Sequence, residues 1–463
     1  MTDLTPGSEQ SFFRRRGGLR GRALSTPDHA VAHSRDARGV LTLPPEDTRP
    51  TPAWRSGTFG VLDIGSTKMT CFIGRGESDG SLSILGHGWR RSHGIRSGSI
   101  VDIREAEAAV RATVGQAEDT AEKRLDSLTV NLSCGHPASR WIDVRLPIGG
   151  REVTAHDVNH LRTEAKALAW AEGRSIIHNL PLGYLVDGMA GVTDPRGHQC
   201  TELSARFHVV DMHSSALRTL DTVLQRAELR LDGLVSSPFA SALSVLSDEE
   251  RDLGVTVVEM GGGTTSLSVF LEGRLLHIAQ IPVGGLHVTR DVASALSTSL
   301  DTAERLKTLY GAAQLGSDDQ REMLSIPLIG EGPHRLARIP RAKVIGFIEP
   351  RIAETLELVR NALDMSGLGG MANTRVVLTG GASLMEGLVP VASRILGRSV
   401  RLGRPLNIHG LPENDAASAG FSTASGLLAW AAGADRSFGN APATETVPNT
   451  LFQRLVGFIR DRG

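Results

Sequence analysis

The sequence predicts an α/β chain of several lobes, and three observations carry that expectation. Short apolar strands run into glycine turns three times, at 61–67, 257–264 and 376–383. Helical periodicities alternate with strand-like stretches between them. The length of 463 residues suits about three domains or one large multi-lobed unit. Apolar residues at 40% and charged residues at 22% exclude disorder throughout and leave material for a sizeable core. Lys and Arg number 50 against 51 Asp and Glu. A bulk nucleic-acid binder would carry a basic excess, so no nucleic-acid partner is expected. An aromatic share of 4% argues against base-stacking platforms. The 52 glycines exceed the usual share of about 7%, and glycine collects where backbone meets a ligand closely. Cys71, Cys134 and Cys200 lie far apart with no metal-ligand spacing, which reads as reduced thiols in a cytosolic protein. No apolar run reaches the ~18 residues that span a bilayer.

The elements follow in order. Residues 1–56 are rich in Arg, Pro, Ser and Thr and show no periodicity, as a disordered basic extension does. Arg14, Arg15, Arg16, Arg20 and Arg22 beside Phe12 and Phe13 form either a solvated tail or a weak contact for anionic lipid or an acidic partner. A strand from Phe59 runs into a turn, and a second strand-like stretch covers Thr67–Ile73. Residues 102–125 have helical spacing and lead to a strand at Leu128–Leu132. The block at 134–210 predicts a strand at 141–146, a helix at 154–171 and strands near 176–186 and 202–210. Residues 213–230 predict an amphipathic helix with Leu217, Leu220, Val223 and Leu224 on one face. After the second glycine turn, Glu272-Gly273 closes a hairpin between Leu267–Leu271 and Leu275–Ile281. Helices are predicted at 285–299, 301–310, 340–366 and 384–396.

The glycine turns carry the chemistry. In Asp63-Ile64-Gly65-Ser66-Thr67-Lys68 a strand ends in a carboxylate, and Gly65 lets the backbone fold over an anion. Ser66 and Thr67 can donate to phosphate oxygens, and Lys68 supplies charge. Asp63 can hold a hydrated Mg2+. Alone, this segment reads equally well as a plain hairpin. Glu259-Met260-Gly261-Gly262-Gly263-Thr264 repeats the pattern, and three successive glycines suit close approach to a ligand better than a strand. Two such hairpins can grip a phosphate chain from opposite sides. Gly380-Gly381-Ala382-Ser383 precedes a predicted helix, whose N-terminus suits a nucleotide's polar groups. Glu304 and Lys307, three apart on one helix face, are either contacts for ribose or base or a surface ion pair.

In that order, D-I-G-S-T-K, V-V-E-M-G-G-G-T-T, A-E-R-L-K and V-L-T-G-G-A-S, the motifs resemble the actin-like ATPases. Within them the chain resembles the FtsA family of bacterial cell-division proteins. Gly94-Ile-Arg-Ser-Gly-Ser-Ile-Val-Asp-Ile, Asp301-Thr-Ala-Glu-Arg-Leu-Lys, Ile348-Glu-Pro-Arg and Gly403-Arg-Pro-Leu-Asn-Ile-His-Gly-Leu point there. The resemblance covers about 59–433. It implies an α/β, actin-like two-lobed fold with a nucleotide between the lobes and an FtsA-type inserted subdomain, 1C, at 134–210. Subdomain 1A would comprise 57–133, 211–243 and 407–433; 2A, 244–274 and 350–406; 2B, 275–349. It further implies ATP and Mg2+ as ligands, with Asp63 and Glu259 holding the metal through water. Self-association, recruitment of later division proteins through 1C, and docking of the FtsZ C-terminal tail on 2B are also implied. Arg341 and Arg351 are candidate contacts for that acidic tail, or members of a solvated charged face.

Three positions depart from the pattern. Glu259 stands where the family usually has Asp, which moves the carboxylate by about one bond length. Ser266 stands where many relatives have a second Asp. Ser237 before Pro238 stands where the heat-shock chaperone ATPases carry the Glu that positions water, and Ser is no general base at neutral pH. ATP binding with at most slow hydrolysis is therefore expected.

After an Ala/Pro/Thr/Asn-rich linker at 434–448, residues 449–463 read as an amphipathic helix capped by Asn449. Leu451, Phe452, Leu455, Val456, Phe458 and Ile459 form one apolar face, with Arg454, Arg460 and Arg462 beside it. That pattern suits a segment lying in a lipid interface rich in anionic headgroups; docking on the chain's own domain or on a partner is the alternative. With the resemblance, it places the chain at the cytoplasmic face of the inner membrane, at the division septum. The rival readings are a small-molecule kinase and a pilus-assembly adaptor of the same superfamily, and a chaperone.

Overall fold

The computed structural model describes residues 57–330, 336–368, 375–412 and 418–433. Two sheets of the same plan form its frame. In the first, strands Phe59–Ile64, Lys68–Gly76 and Leu82–Arg91 run as an antiparallel meander. Ser127–Leu132 pairs parallel to Phe59–Ile64, and Arg230–Ser236 pairs parallel beyond it. In the second, Val255–Met260, Thr265–Leu271 and Arg274–Ile281 form the meander. Arg375–Thr379 and then Ser399–Leu402 add the parallel strands. The repetition reaches the register. Asp63 faces Thr70 and Ile64 faces Met69; Glu259 faces Ser266 and Met260 faces Thr265. Each parallel strand needs a crossover, and helices supply it. Ile103–Ala121, capped by the Asp102 carboxylate, covers the first sheet, and Arg341–Met365 covers the second.

Burial explains why these segments are strands. Val61, Leu62, Cys71, Phe72 and Ile73 are fully buried in one core, and Val258, Leu267, Val269 and Leu378 in another. Cys71, Cys134 and Cys200 are all free and buried, and burial pushes the Cys134 thiol up to about 11. Helices Ser237–Val245 and Ser422–Ala432 pack against one another at the junction of the lobes. They cross so closely that a Cβ on Gly426 would stand 1.6 Å from the Ala240 carbonyl oxygen.

The inserted block builds its own four-stranded antiparallel sheet from Ala138–Pro147, Glu202–His213, Arg174–Val186 and Met189–Val192, with helix Ala155–Leu168 against it. Its core holds Val144, Leu161, Leu203 and Phe207. Its edge strand Ala138–Pro147 faces the second lobe's edge strand Arg274–Ile281. Trp141 Nε1 donates to the Leu276 carbonyl at 2.7 Å, and the Ile278 amide donates to Ser139 Oγ at 3.2 Å. An exposed sheet edge invites pairing with other chains, and here two edges cover each other through side chains. Against the first lobe, His178 Nε2 accepts the Ser236 amide at 3.0 Å. Burial lowers its pKa to about 4, so the ring is neutral at that bond.

The sequence reading differs in places. The helix expected over 213–230 ends at Arg226, and Arg230 opens a strand instead. The helix expected from 384 begins at Leu388, because a 3-10 turn, Gly381–Leu384, intervenes. Strand Leu82–Arg91, hairpin Met323–Pro327/Leu336–Pro340 and helix Ser422–Ala432 were not anticipated. The basic extension and the expected segment at 449–463, with Leu451, Phe452, Arg454, Leu455, Val456, Phe458, Ile459 and Arg460, lie outside the described residues.

Candidate nucleotide cleft

The two hairpin turns project from equivalent strand ends into one cleft. Each is closed by the same bond: the Gly65 amide donates to the Lys68 carbonyl at 3.1 Å, and Gly261 to Thr264 at 2.9 Å. They meet face to face. A Cβ on Gly262 would lie 2.4 Å from Thr67 Cγ2, and one on Gly263 would lie 2.3 Å from Ser66 Oγ. Real Cβ atoms do not come so near, so a side chain at either position would force the facing turn to shift. The third turn enters from behind: Gly380, at φ +86°, would set a Cβ 2.6 Å from the Met260 carbonyl oxygen.

These turns line a cavity of about 440 Å³, within the range of small-molecule sites. Asp63, Gly65, Ser66, Thr67, Lys68, Glu259, Gly261, Gly262, Gly263, Thr264, Glu304, Lys307, Gly380, Gly381 and Ala382 all border it. Ser383 does not. Its hydroxyl donates back to the Gly380 carbonyl at 2.7 Å, closing the third turn. Ser266 is also outside the lining, buried in the strand beside Glu259. A depression of about 510 Å³ beside Arg90, Arg111 and Asp119 is open to solvent and lies away from the glycine turns.

The cleft contains two carboxylates under strain. Asp63 is pushed up to about 6, chiefly by burial, against the pull of Lys68 and the Asn131 hydrogen bond. Glu259 is pushed up to about 7 by burial, opposed by its bond from Thr423 and reinforced by the Asp63 charge. Each is held by one neutral donor: Asn131 Nδ2 donates to Asp63 Oδ1 at 2.7 Å, and Thr423 Oγ1 donates to Glu259 Oε1 at 2.5 Å. Two desolvated carboxylates on one cavity are what a cation relieves, so the residues fit a hydrated Mg2+. Lys68 Nζ stands 3.3 Å over the Phe421 ring.

At the other end, Lys307 Nζ meets Glu304 Oε2 at 2.7 Å and Thr289 Oγ1 at 3.1 Å. Thr289 Oγ1 also bonds Glu304. The pair is thus a preorganised polar corner, and Lys307 is mostly buried. Arg341 and Arg351 are engaged elsewhere. Arg341 pairs with Glu386 at 2.6 Å and Asp319 at 3.0 Å, and donates to the Tyr310 carbonyl. Arg351 grips Asp291 through two nitrogens and also pairs with Glu354.

Sequence reasoning missed Asn131, Gly284, Gly285, Ser422 and Thr423, all on the cavity. Asn131 was findable as an amide inside an apolar strand. Its Oδ1 accepts the Ile64 amide at 2.7 Å, and its Nδ2 also reaches Ser237 Oγ at 3.0 Å. Gly284-Gly285 was findable as a fourth glycine turn; a Cβ at Gly284 would meet the Gly261 carbonyl oxygen at 2.6 Å. Thr423 carried no local signal.

Two sheets of one plan, opposed glycine turns and a cavity between them define an actin-like ATPase fold. The pilus-biogenesis protein of a solved PilM–PilN type IV pilus complex has that fold, with a TM-score of 0.59 at 16% identity over 82% of this chain and 99% of its own. Residues 134–211 match the model of the SHS2 domain inserted in FTSA, and residues 256–426 match that of cell division protein FtsA. The FtsA of Agrobacterium fabrum is 43% identical over 84% of this chain and 90% of its own; that of Escherichia coli is 33% identical over 79% and 88%. The chain belongs to the FtsA family of cell division proteins.

Proposed function

We propose that the chain binds ATP with Mg2+ in this cleft and serves as a division adaptor. In that role it self-associates and tethers FtsZ filaments to the cytoplasmic face of the inner membrane at the septum. Later divisome proteins would be recruited through 1C at 134–210, with 57–133, 211–243 and 407–433 as 1A, 244–274 and 350–406 as 2A, and 275–349 as 2B. The observation that carries the nucleotide reading is the pair of opposed hairpin turns. One is armed with Ser66, Thr67 and Lys68, and the other is stripped to Gly261, Gly262 and Gly263. Such turns aim backbone amides at a phosphate chain. Asp63 and Glu259 would hold the metal through water, and Glu304 with Lys307 would take the ribose or base. Bound Mg2+ would neutralise phosphate charge; the protein's part is to position the chain and exclude water.

Slow turnover goes with this reading. Ser237 starts its helix at the strand end where a water-positioning carboxylate would stand, and its hydroxyl accepts from Asn131. Docking of the FtsZ tail on 2B, with Arg341 and Arg351, would require an acidic segment to displace Glu386 or Asp291 from those guanidinium groups. No helix among the described residues is long and apolar enough to cross a membrane. The tether in this proposal is residues 449–463, whose apolar and basic side chains suit a weak, reversible anchor strengthened by avidity in a polymer.

Two measurements test the reading. Titration calorimetry should show ATP binding that requires Mg2+ and is lost in Lys68→Ala. Flotation on anionic liposomes with ATP and FtsZ filaments should carry full-length protein and FtsZ upward, and a chain stopped after Pro448 should leave both behind. Equal flotation of both forms would move suspicion to the basic residues of 1–56. No flotation of either would remove the membrane role.

A further inference from the structure

The segment Ser418–Thr423 touches both lobes on the cleft floor. Its helix, Ser422–Ala432, belongs to the first lobe, packed on strands Phe59–Ile64 and Lys68–Gly76. Its Phe421 ring lies beneath Lys68. Yet two of its polar groups reach the second lobe. The Ala419 carbonyl accepts the Gly380 amide at 3.1 Å, and Thr423 Oγ1 donates to Glu259 Oε1. Close packing fixes the path. Gly426 admits no side chain against Ala240, and Ser244 Oγ donates to the Ser422 carbonyl at 2.7 Å. The backbone that carries Thr423 therefore cannot withdraw without moving two helices.

We propose that Thr423 is a positioning residue: its hydroxyl latches Glu259 across the lobe junction, and so sets both the carboxylate's place in the cleft and the closure of the lobes. The extra methylene of Glu259 gains a role here. It carries the carboxylate to the hydroxyl of the opposite lobe, a reach that aspartate at this strand end would fall short of. A hydrogen bond to a carboxylate is directional and stronger than a neutral one, and this one lies part-buried on the cleft wall. The nucleotide part of the inference rests on the proposed ATP reading; the latch itself does not.

The test uses full-length protein carrying Thr423→Val, Thr423→Ser or Glu259→Asp. Dyes at Asp119→Cys in the first lobe and Asn361→Cys in the second report the lobe-to-lobe distance; both positions are exposed, and the three native cysteines are buried. Without nucleotide, Thr423→Val should widen the distance distribution, Thr423→Ser should retain the parent's, and Glu259→Asp should behave as the valine variant does. The Thr423→Val, Glu259→Asp double variant should add nothing to either single one. Affinity for Mg-ATP should fall about tenfold in Thr423→Val and stay within about twofold in Thr423→Ser. An unchanged distance in both Thr423→Val and Glu259→Asp overturns the latch, whatever the affinities. If Thr423→Val fails to fold, Glu259→Asp decides from the other side of the bond. If the parent binds no ATP while the distances shift as expected, the nucleotide reading fails and the latch stands.

Discussion

The two hairpin turns of this molecule share a register and differ in almost every side chain. Gly65 and Gly261 occupy the same position, and each amide closes the turn on the residue three ahead. After that the first turn continues Ser66, Thr67, Lys68 and the second Gly262, Gly263, Thr264. Their contacts account for the difference. The side chains of Ser66 and Thr67 occupy the volume that Gly262 and Gly263 leave empty. One turn is furnished because the other is bare, and the lobes come together only because the two are unequal. A duplicated plan thus yields an asymmetric site, with cation and hydroxyls on one wall and bare backbone on the other.

The junction of the lobes is the most sensitive place to break this arrangement. Gly426→Ala drives a Cβ into the Ala240 carbonyl, and helix Ser422–Ala432 must slide to relieve it. A loss of about 3 kcal/mol is expected, read as a fall in the denaturation midpoint, with the lobe junction loosened even where the protein still folds. Gly262→Ala comes next. It leaves each lobe intact but sets the turns apart, and affinity for Mg-ATP should drop about 100-fold with little change in unfolding. Thr67→Gly in the same chain removes the clashing atoms and should recover part of the loss. Failure of that rescue would show that Gly262 is needed for its backbone conformation rather than for its neighbour.

Much of this was legible in the sequence, for a physical reason. A buried strand that ends in a carboxylate and glycines has a local signature, since the turn's chemistry lies within about six residues. The residues expected in the three glycine turns border the cavity on that basis, apart from Ser383, whose hydroxyl a 3-10 turn folds inward. Thr423 was illegible because it is separated by 164 positions from the carboxylate it holds. Arg341 and Arg351 show the same limit. Their charge was plain in the sequence, but Asp319, Glu386 and Asp291, which meet them, come from other parts of the chain. Strand Leu82–Arg91 hid because its Gly86 and Gly88 weaken a strand pattern. Those glycines exist to let helix Ile103–Ala121 approach, since a Cβ on Gly88 would stand 2.1 Å from the Thr113 carbonyl oxygen.

The equivalent carboxylates Asp63 and Glu259 sharpen the comparison through pH. Burial raises both above their ordinary values. A raised carboxylate pKa means that the native state holds its proton longer than the unfolded chain does, so stability falls as pH rises. For Glu259 the loss runs from its ordinary value of 4.5 to about 7. Glu259→Gln keeps the shape and removes the titration. In nucleotide- and magnesium-free buffer the variant should overtake the parent between pH 5 and 8 by about 2 kcal/mol, measured as the difference in denaturation midpoint. Taking the difference cancels His178 and His208, whose lowered pKa values cost stability in the opposite direction, as pH falls. A constant difference across that range would show that Glu259 is not desolvated.

The smallest effect contrasts a helix glycine in each lobe. Gly426 and Gly346 both sit inside helices, Ser422–Ala432 and Arg341–Met365. Composition alone gives them the same cost, because glycine in a helix interior is worse than alanine by about 0.5–1 kcal/mol. Their surroundings differ. A Cβ at Gly426 would stand 1.6 Å from a carbonyl oxygen, while one at Gly346 would meet nothing within 4 Å. Gly346→Ala should therefore stabilise the second lobe by about 0.5–1 kcal/mol, an effect of opposite sign to Gly426→Ala, and leave Mg-ATP binding as it was. The gain should appear as slower hydrogen exchange in the turns preceding Pro350. Destabilisation by Gly346→Ala would mean that this exposed helix face is covered in the protein's working state, and the second lobe's freedom beside the tightly crossed first would have to be reconsidered.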